Sequence, residues 1–325
     1  MLTLIAVLLL LMLTVPALSI RQKEGESGSP DPAASKDVPI VKSDYFRVLD
    51  TATDKVEKIP EWDYIWGVVA AEMGYTYSTE ALKAQTVAAY TLAVRARSIA
   101  ISNKEKYDLT NDYSKHQAYM TAAAAKSKWG DSFAERQKKI EDAVNEVKGL
   151  VITYKDEPIF AAYHAISGGK TESAKTVWGG DYPYLQPVES VGDLMAEGYL
   201  TTVKYTPEVF AERAKALELS LKPADAAKFV SQPARSDSGT VTSYTLGGKK
   251  FTGAQMRTAF GLRSANFDLN FADGELVFTV RGYGHGVGMS QRGAEYMAQQ
   301  GSTYKEILGW YYKGCEVEEY GELEE

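Results

Sequence analysis

Glu72 stands seven residues after Ile65, four after Val68 and three after Val69. On a helix that spacing sets its carboxyl on the apolar stripe. Burial disfavours the charged form and raises a carboxyl's pKa, which suits a general acid near neutral pH. The competing reading is a helix-end Glu paired with a nearby Lys or Arg. Gln85 also falls within an apolar stripe, between Leu82 and Ala89. A buried amide needs hydrogen-bond partners, which a neighbouring loop or a ligand can supply. Gly282-Tyr-Gly-His-Gly-Val-Gly-Met-Ser-Gln291 sets four Gly in seven residues around His285, ahead of Ser290 and Gln291. It does not satisfy GxGxxG. A His presented by a Gly-rich loop that opens a helix is a candidate for a cleft, although a lone His is more often structural. Ser167-Gly-Gly-Lys-Thr171 ends like a phosphate-binding loop, but His164 stands where that pattern needs Gly, so a nucleotide site is rejected. A tight turn exposing Ser167, Thr171 and the amides of Gly168 and Gly169 remains. Trp178, Asp181, Tyr182 and Tyr184 follow in an aromatic stretch that suits either a sugar groove or a packed turn.

Positioning these groups requires several elements. The spacing predicts helices over 62–73, from an N-cap at Ser78 to about 99, over 131–147, and over 207–219. Strands are expected at 150–154 and 159–163, joined through Asp156-Glu157-Pro158. Residues 240–251 read as a hairpin about Gly247-Gly248, and 275–280 as a strand. Helices are expected at 291–300 and 303–312, the last opened by a Thr303/Glu306 capping box. Helices first and mixed strands later give an α+β class.

The chain has 325 residues, 45% of them apolar, and a net charge of −7. The last ten residues hold six Glu and read as a solvated end, which leaves the remainder near neutral and without a basic footprint for nucleic acid. One Cys and three His exclude a disulfide framework and Cys-rich zinc modules. Twenty-one Tyr against ten Phe tilt the composition towards amphipathic aromatics. Residues 1–20 carry no charge. Two membrane readings compete there, a signal anchor and a signal peptide cut near Ala17-Leu18-Ser19, against a buried core helix. Residues 21–40 hold three Pro, two Gly and no aromatic, and read as a disordered, flexible tether. The expected layout is an N-terminal membrane helix at 1–20, a tether at 21–40, one mixed helical and β domain with a substrate cleft at 41–320, and an acidic tail at 321–325.

Ala71-Glu-Met73, Glu80-Ala-Leu-Lys-Ala-Gln85, Ser167-Gly-Gly-Lys-Thr171, Val177-Trp-Gly-Gly-Asp-Tyr-Pro-Tyr184, Leu262-Arg-Ser264 and Gly284-His-Gly-Val-Gly-Met-Ser-Gln291 occur in this order. Together they resemble the stage II sporulation protein D family, over roughly residues 41–320. The last segment is highly specific; each of the others is weak alone. The resemblance implies a membrane-anchored, extracytoplasmic lytic transglycosylase, acting on peptide-stripped peptidoglycan glycan strands during engulfment of the forespore. It implies an amidase and a polytopic membrane scaffold as partners, and no cofactor. It carries the catalytic role to Glu72. Substrate contacts are expected from Gln85, Ser167, Gly168, Gly169, Thr171, Trp178, Asp181, Tyr182, Tyr184, His285, Ser290 and Gln291. The family relates to an amidase-enhancer domain, so a glycan-binding activator is the second reading, and a hydrolase using Asp181 with Glu72 is the third.

Two departures stand out. Tyr90 occupies a position where the family commonly has Arg, which removes a guanidinium that would orient substrate or Glu72 unless Arg95 or Arg97 compensates. The Cys residues that flank a His in some members are missing around His116, so no thiolate zinc site is expected.

Overall fold

The computed structural model describes residues 41–113 and 115–320. The expected membrane segment, tether and last five residues lie outside them. Among the described residues no helix is long and apolar enough to cross a membrane.

Chain order begins with β1 (Tyr45–Asp50), β2 (Lys55–Pro60), α1 (Glu61–Glu72), α2 (Thr79–Ser102) and β3 (Leu109–Thr110). It continues through α3 (Ala122–Trp129), α4 (Phe133–Glu146), β4 (Leu150–Tyr154), β5 (Glu157–Pro158), β6 (Tyr163–His164) and α5 (Ala174–Trp178). Residues 200–281 then form β7 (Leu200–Tyr205), α6 (Pro207–Arg213), β8 (Ala234–Arg235), β9 (Val241–Leu246), β10 (Lys249–Phe251), α7 (Gly253–Phe260), β11 (Phe267–Ala272) and β12 (Glu275–Arg281). The chain returns through β13 (Met289–Ser290), α8 (Gln291–Gln299), α9 (Tyr304–Tyr311) and β14 (Glu316–Glu319). This mixture is α+β.

Burial divides into two clusters. One gathers side chains from Phe46 to Val188 and again from Val287 to Tyr312. The other lies wholly within Phe210–Val280, where Phe210, Phe260, Phe267 and Phe278 pack around the antiparallel sheet β11-β12-β7. Residues 200–281 thus interrupt the first cluster and build a core of their own. The Ser167–Thr171 turn meets this insertion. A side chain at Gly168 would sit 2.6 Å from Asn266, and the Ser238 hydroxyl donates to the Thr171 carbonyl at 2.7 Å.

α2 is the axis of the first cluster. Instead of a single stripe it is buried nearly all round, with Leu82, Gln85, Ala89, Ala93 and Val94 at or near zero exposure while Leu92, Ala96 and Ile99 are half-buried. Ser78 occupies the N-cap, but its hydroxyl and amide both donate to the Glu295 carboxylate of α8, at 2.9 and 2.7 Å.

Three elements differ from the pattern expected. The helix expected over 131–147 forms as α4, but a further helix, α3, which the spacing did not predict, precedes it, with Gly130 at φ 55 ending α3. The strand at 159–163 does not form. Lys155 and Asp156, both at positive φ, turn the hairpin, and the Phe160 amide leaves the ladder to donate to the Tyr184 hydroxyl at 3.0 Å. The first part of the acidic end is not solvated tail: Glu316–Glu319 is β14, antiparallel to β4, and Glu318 accepts from the Thr153 hydroxyl at 2.8 Å. The hairpin about Gly247 and Gly248, both at positive φ, and the Thr303/Glu306 capping box are present as expected.

Candidate active site

Glu72 is the last residue of α1, and its carboxylate is held from two directions. Oε1 accepts from the Ala118 amide at 2.9 Å, and Oε2 from the Gln291 side-chain amide at 3.2 Å. The first donor reaches it because the 117–120 loop passes directly over α1. A side chain at Gly67 would meet the Met120 carbonyl and the Tyr119 ring at 2.5 Å, and Tyr119 stacks on Tyr64 with centroids 5.2 Å apart. The second donor is fixed by the cap of α8. The Ser290 hydroxyl accepts from the Gly293 amide at 3.2 Å and donates to the buried Asp193 at 2.7 Å. Any side chain at Gly293 would collide with the hydroxyls of Tyr311 and Ser190.

No Lys or Arg among the described residues pairs with Glu72. Burial raises its pKa, and the hydrogen bonds it accepts from Ala118 and Gln291 pull only partly the other way. The ion-paired alternative is thereby set aside. Around the carboxyl lies a ring of neutral polar groups. Gln85, fully buried on α2, has its oxygen 3.5 Å from the Gln291 amide, and its own amide nitrogen has no partner. The Tyr163 hydroxyl donates to Gln117 at 2.8 Å, and Gln117 donates to the Ala89 carbonyl at 3.3 Å.

β6 runs parallel to β13, which sets Tyr163 beside Met289 and His164 beside Ser290. The Gly-rich loop leading into β13 carries His285, whose ring lies 4.9 Å from Trp178 and 5.7 Å from His164. Its Nδ1 accepts from the Val287 amide at 3.1 Å. Burial, then the neighbouring His164 and Arg257, push the His285 pKa down to about 3, so it is a neutral ring at physiological pH.

The expected residues therefore sort into groups. Gln85 and Gln291 surround Glu72, with Ser290 capping the helix that delivers Gln291. His285 and Trp178 form a second group beyond Tyr163. Ser167 and Thr171 are buried and engaged elsewhere: the Ser167 amide donates to Asp193 at 2.9 Å, its hydroxyl accepts from Gly169, and the Thr171 hydroxyl accepts from the Val188 amide. Tyr182 and Tyr184 pack into the first core against Phe160 and each other. Asp181 is exposed.

Sequence reasoning missed Gln117, Ala118 and Tyr163. Ala118 acts through its backbone and leaves no side-chain signal. Tyr163 was hidden in a run read as a strand.

Tyr90 lies at the other end of α1. Its hydroxyl donates to Glu61 at 3.3 Å, and Glu61 forms a buried ion pair with Arg97. Position 90 thus adjoins Glu61, not Glu72, and Arg97 supplies a guanidinium there. Arg95 donates to the Pro158 carbonyl at 3.0 Å. His116 accepts from the Thr110 amide at 3.3 Å, and burial lowers its pKa to about 4. Among the described residues no group of three or more His, Cys, Asp or Glu is placed to hold a metal.

Fold and site define an α+β protein built around one half-buried glutamic acid at a helix end, ringed by amides and paired with no cation among the described residues. A family model described as stage II sporulation protein matches residues 50–154. The stage II sporulation protein D of Bacillus subtilis (strain 168) is 37% identical over 84% of this chain and 78% of its own length, and that of Bacillus amyloliquefaciens matches equally well. The amidase enhancer of Bacillus subtilis (strain 168) is 27% identical over 78% of this chain and 40% of its own length. The chain belongs to the stage II sporulation protein D family.

Proposed function

We propose that this protein is a peptidoglycan lytic transglycosylase that cuts peptide-stripped glycan strands during spore engulfment, with Glu72 as general acid and then base. The observation that carries the reading is a half-buried carboxyl, desolvated enough to raise its pKa, that no cation among the described residues pairs with. Burial keeps such a group protonated to higher pH, as a general acid requires. Glu72 donates its proton to the leaving oxygen as the bond from C1 of N-acetylmuramic acid breaks. The carboxylate then takes the proton of the sugar's own C6 hydroxyl as that oxygen attacks C1, giving a 1,6-anhydro ring and restoring the acid. No water enters. Glycosidases that use water work with a pair of carboxyl groups, whereas attack by the sugar's own hydroxyl needs only the one. The amides of Ala118 and Gln291 steady the carboxylate between the two transfers.

The apolar first twenty residues would hold the domain at the outer face of the membrane, where an amidase that strips stem peptides and a polytopic scaffold would work beside it. A glycan-binding activator of an amidase is the second reading, favoured by the relative named amidase enhancer. End-group analysis by mass spectrometry separates them. Anhydromuramic ends from amidase-stripped strands support the transglycosylase, reducing ends support hydrolysis, and intact strands with a stimulated amidase support the activator.

A further inference from the structure

The Gly-rich loop has two ends. At one, Gln291 touches Glu72. At the other, Tyr283 is clamped by paired backbone hydrogen bonds with Ile166 yet leaves 45% of its surface exposed. Two arginines from residues 200–281 lie near this phenol. The Arg263 guanidinium lies 4.2 Å from the centre of the Tyr283 ring and donates to the Gly198 carbonyl at 3.2 Å. Gly198, at φ 78, leaves room for it: a side chain there would sit 2.8 Å from the guanidinium. The Arg263 carbonyl accepts from the Gly284 amide at 3.0 Å, which ties the insertion to the loop. Arg257, on the last turn of α7, folds back to the Leu262 carbonyl through Nε at 3.4 Å.

Arg47, Arg97, Arg235 and Arg281 each meet a carboxylate. Among the described residues neither Arg257 nor Arg263 does. Both are half-buried. Arg257 is desolvated enough to lower its pKa, with only Tyr283 opposing that, and its charge is felt by His164 and His285. A guanidinium drawn away from water without an anion is unfavourable, and its planar fork matches a carboxylate in two-point geometry. His285 lies on the loop between Tyr283 and Gln291, with the Trp178 ring 4.9 Å from its own. Tyr283 and Gln291 are eight positions apart, so at no more than ~3.5 Å per residue the two ends lie within reach of one glycan strand.

We propose that Arg263, stacked on Tyr283, and Arg257, held against the adjoining Leu262 carbonyl, form a subsite for the free lactyl carboxylate of an N-acetylmuramic acid in the bound strand. This rests on the peptidoglycan reading above and deepens it. While a stem peptide is attached, that carboxyl is a neutral amide followed by a bulky chain. Amidase cleavage exposes an anion, and the arginine pair reads it. The subsite would therefore make the enzyme follow the amidase rather than precede it.

The test uses the full chain carrying Glu72→Gln, so that bound strands are not cut. Its affinity is measured for stripped strands, for the same strands with their carboxylates capped as methylamides, and for chito-oligosaccharides of matched length. Stripped strands are expected to bind about tenfold tighter than the capped ones, the size of one charge-assisted contact. That preference should shrink with added salt. Arg257→Gln and Arg263→Gln should each remove most of it without changing affinity for capped strands. Arg263→Lys keeps the charge and guards against a merely unfolded variant; it should retain part of the preference. Equal binding of stripped and capped strands, or a preference that survives both Gln substitutions, would overturn the subsite while leaving the peptidoglycan reading in place. Failure of all three glycans to bind would overturn both.

Discussion

α1 carries a glutamate at each end, Glu61 buried and Glu72 half-buried, and the two are treated in opposite ways. Glu61 is met by Arg97 and the Tyr90 hydroxyl. Glu72, eleven residues on and ~16 Å along the helix axis, receives only the neutral amides of Ala118 and Gln291. A buried anion with a guanidinium is a joint of the fold. A half-buried carboxyl with neutral donors can exist with or without its proton, and the balance between those states is what proton transfer needs. The contrast also relocates the departure at position 90. Tyr90 belongs to the joint, so loss of the family's Arg there leaves the Glu72 end untouched, and Arg97 already answers Glu61.

The largest effect should come from Glu72→Gln. Removing a general acid typically lowers the rate about 10²–10⁴-fold, and mass spectrometry of stripped strands should show that loss of product. The same substitution should raise thermal stability at neutral pH. A carboxyl whose folded pKa is raised contributes stability that is fully present below its ordinary pKa and is lost as pH rises through the folded value. Wild type should therefore lose stability, relative to the Gln variant, over that range. Cleavage should decline across the same interval as the acid loses its proton.

Arg97→Met should act next most strongly, and on stability alone. Leaving Glu61 buried and unpaired costs about 3–5 kcal/mol, read as a fall in urea midpoint, with turnover per folded molecule unchanged. A large loss of turnover at full folding would break the contrast between the two ends. Gln291→Ala should lower turnover about tenfold, the scale of a hydrogen bond to a charged group. It should also shift the alkaline limb of the pH–rate profile upwards, because the carboxylate loses a donor. Tyr90→Arg should be the mildest, altering stability while leaving turnover within about twofold, as expected for sites far apart.

Much of this was legible in the chain. Three residues, Ile65, Val68 and Val69, were enough to set Glu72 on a buried helix face, and the Gly-rich segment ahead of Gln291 announced a loop feeding a helix. Local rules also gave the Gly247-Gly248 hairpin and the Thr303 capping box, since both depend only on neighbours. What was not legible depends on distant contacts. Gly67 makes room for a loop fifty residues away, and only that approach explains why Ala118 reaches Glu72. Tyr182 and Tyr184 had the composition of a sugar groove, yet the Tyr184 hydroxyl is taken by the Phe160 amide and both rings fill the core. The separate core within Phe210–Val280 was not read as such, because the Gly-rich segment directly after Arg281 signals a loop ahead of a helix as readily as a boundary.

The most direct test compares Glu72→Gln with Glu61→Gln in the full chain, each first shown to be folded by circular dichroism and then given amidase-stripped strands. If Glu72 is the acid and base, anhydromuramic products vanish with Glu72→Gln and persist, per folded molecule, with Glu61→Gln. Undiminished anhydromuramic products from folded Glu72→Gln would contradict that assignment.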